Sequence, residues 1–475
     1  MFIPCDTFAD AAKSAAEDNA MPALRYRSIS AAEFYRVRRT EKEVRPLTER
    51  VLDGLIDALT RPLTAEEARP SPAKVEAESS RVVVTGDSYP AAAEEFNRLF
   101  LGKLWGDGLP MVPPTQERVK WMLSGTSLSP NEVIGKVPPK QGMATVEKIA
   151  INAVMAGASP EYLPVIIAAM KAITDDSYDA RHLLLSAGSF GLTIVVSGPI
   201  AKEIGMESGV GFLGHGWRAN NTIGRAVRLA TLNIGHIWPG LNDMALTGRV
   251  SPHTFFTFAE NAGLSPWEPY HVTQGYGADD SCVTVATIGG SRDRYGGSIM
   301  TWTAEEILGR IVENLLSVGR RAFGGWGSKG VGAIPGSGGG PTRHIIVLFP
   351  AVAAELHKLG FKNQRAVQDE IYRRAAVRYE ELSPADIKSI QTAMGPGYEH
   401  VIPADRRRVF EDALRPGGMV PVQVSPGDIP IFVAGGAPGD AFGFNYMMLP
   451  PYKPTGMLTK LVTGATLTKA GKSHN

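Results

Sequence analysis

Residues 192–206 read LTIVVSGPIAKEIGM, and residues 344–361 read HIIVLFPAVAAELHKLGF. The two segments follow one order of residue types. A β-branched apolar run of strand length meets a proline, and a short helical stretch ending at glycine follows. Proline suits the first position of a helix and disrupts the middle of a strand, so each unit must turn from strand to helix at Pro199 or Pro350. A basic amphipathic segment comes next in both places, at 222–234 and at 364–378. Each stretch then closes on an apolar run with two glycines, VTVATIGG (283–290) and IPIFVAGG (429–436). An aspartate and a further glycine lie downstream of each, Asp293 and Gly296, then Asp440 and Gly443.

Strands alternating with helices imply βαβ units. The expected fold is therefore α/β, with internally duplicated βαβ-type halves around a mixed or parallel sheet and an N-terminal helical arm. The expected divisions are an arm and linker over 1–80, with Pro70–Ser80 as the linker, and a first half carrying the main polar site over 81–300. A helix and Gly-rich crossover over 301–342 and a second half with a C-terminal tail over 343–475 follow. A chain of 475 residues exceeds one ordinary core, which agrees with several packed units.

Composition removes several classes of function. With 49 basic and 48 acidic residues there is no electrostatic reason to expect nucleic acid or an anionic membrane surface as partner. Cys5 and Cys282 are the two cysteines, so no disulfide framework exists and a reducing compartment fits. The longest apolar stretch, near 164–170, falls far short of the ~20 residues that a spanning helix needs. The acidic residues Asp6, Asp10, Glu17 and Asp18 do not suit a secretory or transit peptide. The expectation is a cytoplasmic protein. In the arm, Val51, Leu52, Leu55, Ile56 and Leu59 have helical spacing up to Pro62. Such a stripe outside the main body suits a subunit contact and hence a homo-oligomer.

Elsewhere the pattern predicts a short strand over 81–85 and helices over 90–101, 116–123, 144–156, 160–173 and 305–322. Thr115 is the expected N-cap of the 116–123 helix.

Four of the nine histidines fall in the 209–282 region, which is the densest in polar groups. GVGFLGHGWRANNTIGRAVR (209–228) is a Gly-rich loop running into a helix, with Asn220 or Asn221 as the expected N-cap. Free N–H groups at a helix start, with Arg218 and Arg225 beside them, suit a carboxylate or phosphate. Trp217, Arg218, Asn220, Asn221 and Arg225 are thus substrate-binding candidates, and His215 in the same loop is a proton-transfer candidate. The alternative is a tight helix start with exposed arginines.

FAENAGLSPWEPYHV (258–272) sets Glu260, Glu268 and His271 in a proline-stiffened loop. Glu268-x-x-His271 has a spacing that metal ligands use on helices, so a divalent metal is the cofactor considered, although Pro266 and Pro269 oppose a helix there. A His–carboxylate pair would equally serve acid–base chemistry with no metal. A buried hydrogen-bonded histidine with rim carboxylates is the structural alternative. Cys282 follows Asp279 and Asp280 with no cation beside it, which points to an inert thiol. Asp107, between glycines in GDGLPMVPPT (106–115), either aims at a ligand or caps its own turn.

GGWGSKGVGAIPGSGGGPT (324–342) is neither a phosphate-binding GxxxxGK[ST] loop nor a dinucleotide loop after a strand. It reads as a mobile lid with Lys329 or Ser337 at substrate, or as a linker. No CxxC, HExxH or GxSxG pattern occurs.

WGDGLPMVPPT (105–115), ATVEKIAINAVMAG (144–157) and ENAGLSPWEPYHV (260–272) together resemble a mostly uncharacterised bacterial family associated with UGSC-type proteins. The chain lacks that group's Cys-containing motif. The likeness spans roughly 81–290 and implies a bacterial, enzyme-like protein without assigning a reaction.

The reading is an enzyme for a small anionic organic substrate, a hydrolase or lyase. Arg218 and Arg225 hold the anion, His215 or His271 moves a proton, and Glu260 and Glu268 orient the imidazole or bind metal. One rival is a cofactor-dependent oxidoreductase using the Gly-rich strand tips. The other is a non-catalytic ligand-binding or assembly protein.

Overall fold

The computed structural model describes residues 3–18, 21, 23–34, 40–65, 67–68, 81–178, 180–186, 188–238, 242–295, 302–323, 344–397, 399, 401–436, 443–448 and 457–466. The expected linker, the Gly-rich loop 324–342, Gly296 and Asp440 lie outside them.

The fold is α/β, with mixed sheets. A hairpin of β1 (Val133–Val137) and β2 (Gly142–Thr145) precedes the first sheet. That sheet begins with β3 (Gly191–Ser197), β4 (Phe256–Ala259) and β5 (Cys282–Ile288). The chain continues through β6 (Gly290–Tyr295), β7 (His344–Leu348), β8 (Ala376–Arg378) and β9 (Met419–Pro421). It ends with β10 (Ile431–Val433), β11 (Gly443–Met448) and β12 (Met457–Leu461).

The two four-stranded sheets have the orders β4-β3-β5-β12 and β10-β7-β11-β6. In the first, β3 is parallel to β4 and antiparallel to β5, which is antiparallel to β12. In the second, β7 is parallel to β10 and antiparallel to β11, which is antiparallel to β6. Order and sense agree position by position. The outer strands are exchanged: β6 follows β5 in the chain but completes the second sheet, and β12 follows β11 but completes the first.

This topology corrects one sequence expectation. The glycine-ended runs at 283–290 and 429–436 are not equivalent, because β5 is antiparallel to β3 whereas β10 is parallel to β7. The counterpart of β10 is β4, and that of β5 is β11.

Side-chain alternation explains the layering. Ile194 and Val196 of β3 pack with the helices Val146–Met155, Leu163–Ile173 and Arg218–Gly235. Ile346 and Leu348 of β7 pack with the helices Ala304–Phe323, Pro350–Lys358 and Gln364–Arg374. The alternate residues meet in a third core: Val195, Phe258, Ala286 and Ile288 face Ile345, Val347, Phe432 and Met447. The two sheets are therefore stacked face to face, with a helical layer outside each. Strands buried on both faces need the continuous apolar runs that the sequence displays. Each fully buried aliphatic side chain contributes roughly 1.5–3 kcal/mol.

The joint between β3 and the Pro199–Glu203 helix requires glycine. Gly198 has φ 94°, and a Cβ there would lie 2.1 Å from the Asp280 carbonyl oxygen. Pro199 starts the helix as expected. Thr115 also caps the Gln116–Leu123 helix, its hydroxyl accepting from the Arg118 N–H. The segment 81–85, expected as a strand, has no ladder partner and forms none.

In the arm, Arg25 binds Glu67 and the carbonyls of Ala58, Arg61 and Pro62. Leu52, Ile56 and Leu59 of the Glu41–Thr60 helix remain exposed. Among the described residues, no helix is long and apolar enough to cross a membrane.

Candidate functional site

Glu260 directly follows β4, and Ser197 is the last residue of β3. The parallel register pairs Val196 with Ala259, so the two side chains stand next to each other at the strand tips. Ser197 Oγ donates to Glu260 Oε2 at 2.7 Å. The Tyr270 N–H donates to both carboxyl oxygens, at 2.9 and 3.1 Å. That N–H can reach Glu260 because Tyr270 opens a short helix after Pro269, where a first-turn N–H has no intrahelical acceptor. The carboxyl is buried, 6% exposed, and burial pushes its pKa up to about 7 against the opposing effect of the Ser197 and Tyr270 hydrogen bonds.

The same tip joins the two sheets. The Asn261 N–H donates to the Val433 carbonyl at 2.7 Å, and the Tyr270 ring packs on Phe432 with centroids 4.5 Å apart.

His271 is fully buried. Its Nε2 lies 3.1 Å from the Gly277 carbonyl, which makes Nε2 the donor of that hydrogen bond. Nδ1 is buried with no hydrogen-bond partner. Glu268 is exposed, and its backbone carbonyl accepts from Gln364 Nε2 at 3.1 Å. No hydrogen bond or ion pair links Glu268 to His271. This corrects their reading as a ligand pair: Pro269 turns the chain between them, leaving one in solvent and one in the core. Among the described residues, no group of three or more His, Cys, Asp or Glu side chains is placed to hold a metal ion. Burial, reinforced by Asp280, pushes the Cys282 thiol up to about 12.

The Gly-rich loop before the Arg218–Gly235 helix has a structural framework of its own. Trp217, not Asn220 or Asn221, is the N-cap residue. Asn220 is buried in the first turn and holds the loop, accepting from the Glu207 N–H and donating to the carbonyls of Glu207 and Phe212. Asn221 donates to the Gly214 and Trp217 carbonyls, and Trp217 Nε1 to the Gly211 carbonyl. Local amide bonding of this kind suits Asn as well as capping does.

Arg225 and Asp107, separate candidates in sequence, form one ion pair. Arg225 Nε and Nη2 reach the Asp107 carboxylate at 2.7 and 3.0 Å, and Nη2 also meets the Pro110 carbonyl at 2.9 Å. Their side chains are 17% and 2% exposed, so each charge is already matched. Asp107 also accepts from the Leu109 N–H at 3.2 Å, so it caps its own turn as the second of its two readings had it, and Arg225 is engaged by Asp107 rather than by substrate. Arg218 is exposed, with one contact at 3.3 Å to the Gly157 carbonyl. His215 is exposed.

The two candidate loops do converge on the β4 tip. Phe212 packs edge-on to Phe258 at 4.9 Å, and the Ala259 N–H donates to the Glu207 carbonyl. His215 and His271 do not converge, one lying in solvent and the other sealed in the core. Sequence reasoning missed Ser197 and Tyr270 as partners of Glu260. The signal for Ser197 was its place as the last residue before Gly198-Pro199.

A cleft of about 360 Å³ opens elsewhere, lined by Lys136, Gln141, Thr174, Asp176, Tyr178 and Arg181 among others. Tyr178 bonds Thr287, which pairs with Leu192 near the start of β3, so this cleft sits at the opposite end of the strand from Glu260. It contains none of the candidate residues. At the Gly435–Gly436 tip, a Cβ on Gly435 would lie 3.0 Å from the rings of both Phe212 and Phe349. That glycine admits aromatic packing, and the space beside it is filled.

The site is thus a buried, hydrogen-bonded carboxyl at the meeting of two stacked mixed sheets. No family model, curated protein or solved structure matches the chain.

Proposed function

We propose that this protein is an enzyme of the hydrolase or lyase type that acts on a small anionic organic molecule, with Glu260 as its proton carrier. The observation that carries the reading is the buried Glu260 carboxyl, with its pKa at about 7 and its two oxygens held by Ser197 and Tyr270. A general acid–base group works best when its pKa lies near the operating pH, and burial of a carboxyl is a standard route to that match. His271, next to Tyr270 and with its Nδ1 buried without a hydrogen-bond partner, is the second proton-transfer group. Arg218, exposed at the start of its helix, is the cation assigned to the anion.

In this reading the protein is cytoplasmic, takes no nucleic acid, and assembles as a homo-oligomer through its arm. The resemblance to the UGSC-associated bacterial family supports an enzyme-like protein and assigns no reaction; two of its segments, through Asp107 and Gly157, touch the Arg218–Gly235 helix, and the third carries Glu260. We further infer that the halves arose by duplication, supported by the matching strand order and sense of the two sheets.

Turnover of a panel of small esters, amides, hydroxy acids and carboxylates tests the function. Glu260→Gln should cost about 10²–10⁴-fold in kcat, the usual size of an acid–base term. Arg218→Ala should act mainly on KM. Unchanged turnover in Glu260→Gln, or no turnover by wild type across the panel, would overturn the reading. The closure of Glu260 from solvent favours one alternative, a non-catalytic ligand-binding or assembly protein in which the carboxyl only ties the strand tips together.

A further inference from the structure

The cleft of about 360 Å³ at the far end of β3 from Glu260 has two unlike walls. One is the β1–β2 hairpin, which contributes Lys136, Pro138 and Gln141; the other is the end of the Leu163–Ile173 helix and the chain that follows it. Glycines seat the first wall. A Cβ on Gly135 would lie 2.1 Å from Thr174 Oγ1, and one on Gly142 would lie 1.9 Å from the Ile234 carbonyl oxygen, so the hairpin rests directly on two helix ends. The second wall is tied to the first sheet. Asp175 accepts from Lys460 Nζ of β12 at 2.5 Å and from the Ser177 N–H at 2.9 Å, and the Tyr178 and Thr287 hydroxyls hydrogen-bond at 2.8 Å. Both walls are therefore fixed by packing before any ligand arrives, as small-molecule sites usually are.

Charges of both signs line this cleft without meeting one another. Lys136, Asp176 and Arg181 all face it, and all three are exposed. None of them makes an ion pair or a side-chain hydrogen bond among the described residues, and neither does Gln141. Asp175, in the same segment, shows that a close ion pair can form there. Unlike charges around one opening that do not pair are held apart by the space between them. A cleft concentrates the field of its lining, so this one favours a solute that carries both signs. A simple anion would meet Asp176, and a simple cation would meet Lys136 and Arg181. An apolar molecule would strip water from these side chains and return no hydrogen bond. The volume lies at the lower end of the roughly 300–1,000 Å³ of small-molecule sites.

We propose that this cleft binds a small zwitterion of the amino-acid class, with its carboxylate held by Lys136 and Arg181 and its ammonium group by Asp176. The Arg181 guanidinium offers a carboxylate a two-pronged hydrogen bond, and Lys136 adds a point charge. Asp176 accepts from an ammonium group, and the Gln141 amide can donate or accept at either end of the ligand. The site is distinct from Glu260, because the length of β3 separates them: Ser197 at one end touches Glu260, and Thr287, opposite Leu192 near the other, touches Tyr178.

Binding rather than turnover tests this, so its outcome is independent of the acid–base reading. The full chain is titrated at constant ionic strength with glycine, β-alanine, 4-aminobutyrate and 6-aminohexanoate, a series that steps the distance between the two charges. Acetate and ethylammonium, with one charge each, are the controls. Calorimetry and thermal unfolding follow the binding. Wild type should bind at least one of the amino acids saturably, with an unfolding midpoint that rises with its concentration. Both controls should bind at least about tenfold more weakly, since each forgoes a charge-assisted hydrogen bond. Asp176→Asn and Arg181→Gln alter exposed side chains, so both should fold, and each should lower the affinity by about tenfold or more. Glu260→Gln should bind as wild type does. Absence of saturable binding by wild type, a control that binds as tightly as the amino acids, or unchanged affinity in Asp176→Asn or Arg181→Gln would overturn the proposal.

Discussion

Replacing Glu260 by glutamine should make the protein more stable at neutral pH and leave it nearly unchanged in acid. The folded carboxyl has a pKa of about 7, against 4.5 for the free group. Below 4.5 both folded and unfolded chains hold the proton, and the folded state carries no charge penalty. As pH rises above 4.5 the unfolded chain releases the proton first, so stability falls, and the loss is complete once pH passes the folded value. Each pH unit between the two values is worth about 1.4 kcal/mol, so the full penalty is on the order of 3 kcal/mol. Glutamine retains the carbonyl that accepts from Tyr270 and has no charge to bury. Urea unfolding of both proteins, from pH 4.5 to above pH 7, should show a difference that grows to roughly this size in favour of Glu260→Gln. A constant difference, or one that grows in acid, would refute the reasoning from burial.

Three further outcomes follow from the packing. Asp107→Ala or Arg225→Ala should each cost about 3–5 kcal/mol in denaturant unfolding, because each leaves the other charge buried alone; the double variant should cost less than their sum. Residues 81–300 expressed alone lack β12, which covers the edge of β5, and the second sheet, which covers Val195, Phe258 and Ile288, so they should aggregate. A soluble, cooperatively unfolding 81–300 fragment would contradict the strand exchange. Deleting residues 1–60 should lower the assembled mass by light scattering, since Leu52, Ile56 and Leu59 are 43, 48 and 66% exposed; an unchanged mass would count against the arm as a subunit contact.

Signals carried within a single element were legible in the sequence. The strand–proline–helix joints at Pro199 and Pro350, the Thr115 cap and the Gln116–Leu123 and Ala304–Phe323 helices all follow from local spacing and local hydrogen bonding. Pairing between distant segments was not. β4 is four residues long and lies inside a stretch whose histidines and prolines suggest loop, so its parallel partnership with β3 leaves no local pattern. The exchange of β6 and β12 depends on which sheet edge is open, a property of the assembled fold.

The candidate site divides along the same line. Glu260 was recognised from its neighbourhood, but its partner Ser197 is 63 residues away across a strand pair. Asp107 and Arg225 each resemble a ligand-binding group until they are seen to satisfy one another across 118 residues.

The protonation of Glu260 itself is the most direct test of the central claim. Selective ¹³C labelling of glutamate carboxyls, with Glu260→Gln to assign the resonance, gives its titration curve in the folded chain. The account predicts a midpoint near pH 7, coinciding with an inflection in the pH profile of turnover. A midpoint near the ordinary 4.5, or a turnover profile indifferent to that titration, would contradict Glu260 as the proton carrier.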